Sequence, residues 1–114
     1  MREIKFRAKY VYADQSIGEW EYFSVWGNND INDYDEKTLG QYTGLKDKNG
    51  KEIYEGDRVK GTHDGVIVYE EDFSSFMVEC EWNKNQYMFN LGCDVAVKSK
   101  VIGNIYENPE LCQT

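Results

Sequence analysis

The chain has 114 residues, 40% of them hydrophobic and 15% aromatic, and carries a formal net charge of −8. That length fits one domain or two small modules sharing a core, and the aromatic content excludes an acidic disordered chain, which lacks the large side chains a core needs. The acidic balance, with a pI of about 4.6, repels phosphate backbones and disfavours generic DNA or RNA binding.

Cys80, Cys93 and Cys112 are far apart and form no C-x-x-C pair. An odd count without a framework implies free thiols in a reducing compartment. No apolar run approaches the roughly 18 residues of a membrane helix. The start, Met1-Arg2-Glu3-Ile4-Lys5-Phe6, has no signal-peptide character. These features predict a cytoplasmic protein with no membrane partner. Arg2, Lys5, Arg7 and Lys9 make the beginning basic, whereas Asp30, Asp33, Asp35 and Glu36 form an acidic cluster. Such asymmetry suits contacts within one copy or head-to-tail contacts between copies.

Residues 3–12 alternate, with Ile4, Phe6, Ala8, Tyr10 and Tyr12 on one face and the charges on the other, which predicts a half-buried strand. Asp14 to Gly18 reads as a turn and Glu19 to Trp26 as a second strand. Pairing the two with Lys9 opposite Glu21 matches unlike charges and sets Tyr10 against Trp20, Ala8 against Tyr22 and Ile4 against Trp26. Between Gly27 and Leu39 the chain is polar. Asp30 suits the cap of a short helix reaching about Lys37, with Ile31, Tyr34 and Thr38 near one face, and a loop is the alternative. The acidic residues here supply oxygen atoms for a weak divalent-ion site but lack calcium-loop spacing, so a solvated loop is the default.

Leu39 to Thr43 and Glu52 to Tyr54 read as short strands flanking Asn49-Gly50, a dipeptide that favours a type I′ hairpin turn with positive φ at both residues. Asp47 suits a turn role, its carboxylate accepting backbone N–H groups two or three residues on, and Asp57 suits the same role after Gly56. Beyond Gly56 the rhythm is all strand: Asp57–Thr62, Val66–Tyr69, Phe76–Trp82, Gln86–Leu91 and Lys100–Tyr106, with an irregular connector over Gly92–Ser99 that has room for a 3₁₀ turn. Five short strands joined by tight turns predict a small SH3-like barrel. The predicted organisation is mainly β with little helix: an N-terminal antiparallel meander over residues 1–55 packed on a C-terminal SH3-like barrel over 56–107, then a tail over 108–114.

Three segments, MREIKFRA at the start, QYTGLKDKNGKEIYEGDRV in the middle and VIGNIYENPEL near the end, resemble the YopX-like family of phage and prophage proteins. Gly44, Asp47, Gly50, Ile53, Tyr54, Gly56 and Asp57 match the middle motif. The resemblance implies a mainly β fold, a phage or mobile-element setting and a tendency to form homo-oligomers. It implies no enzyme activity and brings no catalytic residues.

The residues themselves agree with a non-enzymatic reading. The lone histidine, His63, falls in a predicted turn, Cys80 lies on the apolar side of its strand, and neither phosphate-binding glycine motif is present. No cofactor and no metal are expected. The function expected is self-assembly and binding of a host or phage protein. Trp20, Tyr22, Trp26 and Tyr42 are the candidate interface residues, because large aromatics exceed what a small core buries; Asp47, Asn49, Gly50, Gly56 and Asp57 are structural. The rival reading is a nucleic-acid-associated barrel using Arg2, Lys5, Arg7 and Lys9 with aromatic stacking, or an acidic mimic of DNA.

Overall fold

A computed structural model describes residues 4–24 and 34–107, without the side chain of Trp82. The expected contributions of Trp26, of Asp30 to Asp33, of the Trp82 ring and of the tail over 108–114 lie outside the described residues. The fold is mainly β, and its contacts divide the chain after Tyr42 into two compact units.

In the first unit, β1 (Phe6–Val11) is central, with β2 (Ile17–Phe23) on one side and the start of β3 (Tyr34–Lys46) on the other, all antiparallel. The third strand therefore returns beside the first and not beside the second. The register differs by one residue from the charge-matched expectation: Lys9 lies opposite Trp20, Arg7 opposite Tyr22 and Ala8 opposite Glu21, with an irregularity between Lys9 and Val11. This slip exchanges the faces of β2. Phe6, Phe23 and Tyr34 now form an aromatic row, with ring centroids 6.1 and 5.0 Å apart, and Ala8 is fully buried. Aromatic packing on one face outweighs the exposed charge pairs that the other register offered.

The short helix expected up to Lys37 is not formed where the chain is described, since β3 already begins at Tyr34. Its pairing with β1 jumps from Gly40 opposite Arg7 to Asp35 opposite Lys9, a bulge stitched by one side chain. The Thr38 hydroxyl accepts the Lys9 N–H at 2.8 Å and donates to the Asp35 carbonyl at 2.7 Å. Thr38, placed on a helix face by periodicity, instead satisfies backbone groups that the bulge leaves open.

In the second unit, the end of β3 and β4 (Glu52–Tyr54) flank the Asp47–Lys51 turn. Five strands follow: β5 (Asp57–Lys60), β6 (Gly65–Glu70), β7 (Ser75–Trp82), β8 (Asn85–Asn90) and β9 (Lys100–Asn104). Their order is β8-β7-β6-β5-β9, a meander whose last strand returns beside its first, and the sheet curls into a half-barrel with the SH3-like strand order. A 3₁₀ turn, Glu71–Phe73, joins β6 to β7, and α1 (Cys93–Ala96) occupies the connector before β9. The core gathers Ile53, Val59, Ile67, Phe76, Val78, Leu91, Ala96 and Val101, with Cys80 packed against it. Alternation along β7 explains Phe76 and Val78, and the two-residue loop Asn83-Lys84, with φ of 50° and 66°, sets the unbroken β7–β8 register.

Candidate functional site

The stretch from Asp47 to Asp57 concentrates special backbone geometry. Gly50 has φ +82°, but Asn49 does not have positive φ, so the expected type I′ turn is corrected. The Gly50 N–H donates to the Asp47 carbonyl and the Asp47 N–H to the Lys51 carbonyl, the pattern of a three-residue hairpin in which a tight turn ends on a left-handed glycine. Asp47 is 5% exposed. Its Oδ1 accepts the N–H groups of Asn49 and Lys51, and its Oδ2 accepts that of Val101, each at 2.9 Å. Burial pushes this carboxyl up, but the donors on Val101, Lys51 and Asn49, with the Lys51 charge, outweigh it and hold the carboxyl below its ordinary value. The turn role read from the sequence is present, and the bond to β9 is an addition that no local pattern signals.

Gly56 has φ +89°, and a Cβ there would meet the Tyr106 ring at 2.8 Å. Asp57, 1% exposed, accepts the Tyr54 N–H at 2.8 Å. Its side chain therefore reaches back across the Gly56 turn, where the sequence suggested that it reaches forward.

The aromatic candidates separate by burial. Tyr42 is buried, with the Lys5 ammonium 5.4 Å from its ring centroid. Trp20 is half-buried, and Arg7 and Lys9 stand over its ring at 4.5 and 5.3 Å. Tyr22 is 55% exposed. Trp26 lies outside the described residues.

Two further features emerge from the half-barrel. The first is β8, at one edge of the sheet, with all six residues of Asn85-Gln86-Tyr87-Met88-Phe89-Asn90 exposed. The second is a cavity of about 1150 Å³ lined by residues from β5 to β8 and their loops, Arg58, His63, Cys80 and Tyr87 among them. The His63 ring stacks face to face on Phe89, 3.8 Å between centroids and 9° from parallel. His63 and Cys80 therefore line one cavity, but the Cys80 thiol points its one weak hydrogen bond to the Val78 carbonyl. Burial, with the charges of Asp64 and Glu79, pushes that thiol up, away from the reactive thiolate. Among the described residues no group of three His, Cys, Asp or Glu side chains is placed to hold a metal ion. Nor is any helix long and apolar enough to cross a membrane.

The model of the YopX protein family matches residues 5–113. The chain belongs to the YopX family. Among the described residues, the YopX-like segments include the start of β1, the run from the end of β3 through most of β5, and most of β9, so the Asp47–Val101 hydrogen bond joins two of them. A crystal structure of protein EF1440 from Enterococcus faecalis is similar over 99% of this chain and 100% of that one, at 24% identity and a TM-score of 0.47. No curated protein matches the chain.

Proposed function

We propose that this YopX family member is a non-enzymatic phage or prophage accessory protein that works in the host cytoplasm by self-assembly and by binding another protein. The phage setting rests on the family resemblance. The observation that carries the assembly reading is β8. Soluble proteins blunt sheet edges with charge, proline, bulges or shortness. The edge strand β2 has Glu19 and Glu21, β4 is three residues long with Glu52, and β9 has Lys100. β8 has none of these devices: it is uncharged, paired to β7 without a bulge, and exposes Tyr87, Met88 and Phe89. Such a strand is a template for pairing with the same strand of a second copy or with a partner's extended segment. The nucleic-acid reading is weakened by the seats of the basic residues, since Lys5, Arg7 and Lys9 each lie over an aromatic ring of their own unit.

Light scattering tests the proposal. The expected mass is a multiple of 13.4 kDa, and Met88→Lys should return the protein to monomer by placing like charges on facing edges. A wild-type protein that stays monomeric at about 100 µM, well above the dissociation constants of ordinary specific assemblies, would overturn the assembly reading.

A further inference from the structure

The hydrogen bonds of β8 fix which of its backbone groups face outward. The β7–β8 register runs unbroken from Trp82 opposite Asn85 to Met77 opposite Asn90. Just beyond it, the Leu91 N–H donates to the Phe76 carbonyl at 3.1 Å. Bonded and unbonded positions alternate in an antiparallel pair, so Asn85, Tyr87 and Phe89, in step with Leu91, turn their N–H and C=O groups to β7. Gln86, Met88 and Asn90 turn theirs to the open edge. The Asn90 carbonyl there accepts the Gly92 N–H at 3.1 Å. Among the described residues the edge thus offers an N–H and a C=O from each of Gln86 and Met88, and an N–H from Asn90.

The same alternation sorts the side chains. Tyr87 and Phe89 share a face with Cys80 and Val78, the core side of the sheet, and His63 lies flat on Phe89. Gln86, Met88 and Asn90 share the other face with Glu81, Glu79 and Met77. Glu79 and Glu81 are the sole charged residues of β7 and β8. Arg58 shares their face beyond Val66, and its buried Nε has no hydrogen-bond partner, Glu79 included. A strand added outside β8 would stand about 10 Å from these glutamates, a gap that a lysine or arginine side chain and a glutamate side chain close between them.

Pairing of β8 with its own copy satisfies the backbone but sets uncharged residues against uncharged residues, and it brings the glutamates no counter-charge. We infer, building on the protein-binding role of β8, that this edge takes an extended segment of another protein in which basic and apolar residues alternate. The segment runs antiparallel to β8. Its basic residues lie opposite Gln86 and Met88 and reach across to Glu81 and Glu79. Its apolar residues lie opposite Tyr87 and Phe89 and continue the aromatic face. Self-pairing uses the same N–H groups, so the segment and a second copy compete for one edge.

The test is a titration of the full chain, followed in proton–nitrogen NMR spectra, with a blocked peptide of alternating lysine and valine as long as β8. Binding should saturate with a dissociation constant of about 1 mM or tighter. The Gln86, Met88 and Asn90 amides should shift most, because they gain acceptors that the Asn85, Tyr87 and Phe89 amides already have. A peptide with glutamate in place of lysine, and one with its lysines grouped at one end, should each bind at least about tenfold more weakly. Glu81→Gln, at an exposed position, should weaken binding of the alternating peptide by about threefold or more at low salt. Equal binding of the acidic or grouped peptide, shifts that ignore the alternation, or no saturation up to about 10 mM would each overturn the inference. Light scattering on the same samples separates the two uses of the edge. A monomer that binds the peptide supports the inference and counts against self-assembly. An oligomer that neither binds it nor loses mass overturns the inference and leaves self-assembly standing.

Discussion

At the scale of single residues, Asp47 and Gly50 divide the work of one turn. A Cβ at Gly50 would meet nothing within 4 Å, so the cost of substitution there is conformational alone. Gly50→Val should lose about 2 kcal/mol in urea unfolding, and Gly50→Asn distinctly less, because asparagine tolerates the left-handed region. Equal loss in the two variants would show that crowding, and not φ, decides the position. Asp47→Ala should lose about 3 kcal/mol, since it strands backbone donors that the carboxylate satisfies. The lowered Asp47 pKa fixes the sign of the pH effect. Its contribution is fully present above the ordinary aspartate value of about 3.9 and is lost as pH falls through the lower folded value. The stability gap between wild type and Asp47→Asn should therefore be constant near neutrality and shrink only in strong acid. A gap that narrows above about pH 5 would contradict the hydrogen-bonded carboxylate.

At the scale of elements, legibility followed the strength of the local signal. The five half-barrel strands were readable because glycine, asparagine and aspartate punctuate them and β7 alternates. The β1–β2 register was not, because charge pairing gave a plausible alternative and a bulge is invisible to a strict period of two. The start of β3 is hidden for a similar reason: its bulge is held by Thr38, a residue whose spacing also suits a helix. Asn49-Gly50 marked a hairpin correctly but not its type, while the loop with both residues at positive φ is Asn83-Lys84. The cavity was the least legible feature, since Arg58 reads in the sequence as one more charge on a barrel strand. The observed register makes its own prediction. Trp20→Ala, which removes the ring beneath Arg7 and Lys9, should cost roughly 1–2 kcal/mol, and Tyr22→Ala under roughly 0.5 kcal/mol. The reverse ranking in thermal unfolding would favour the charge-matched register.

At the scale of the whole molecule, the net charge of −8 sets the conditions under which copies meet. Like-charged copies repel through water, and salt screens that repulsion over about 8–10 Å at physiological strength. If β8 edges pair through backbone hydrogen bonds and apolar side chains, the mass seen by light scattering should rise between about 50 and about 500 mM salt. A mass that falls over that range would point to ion pairs between the basic beginning of one copy and an acidic segment of another.

The Asp47–Val101 bond, which spans 54 positions of the chain, also bears on how the second unit forms. The hairpin around Gly50 closes a short loop and needs no distant partner to begin. Its aspartate, however, satisfies its second oxygen only when β9, the last strand among the described residues, lies beside β5. Loop closure over such a span is slow compared with hairpin formation. The turn thus works as a latch as well as a bend, set early and engaged last. The Val101 amide should accordingly exchange with deuterium as β9 leaves the sheet edge, and distinctly faster in Asp47→Ala, which removes its acceptor.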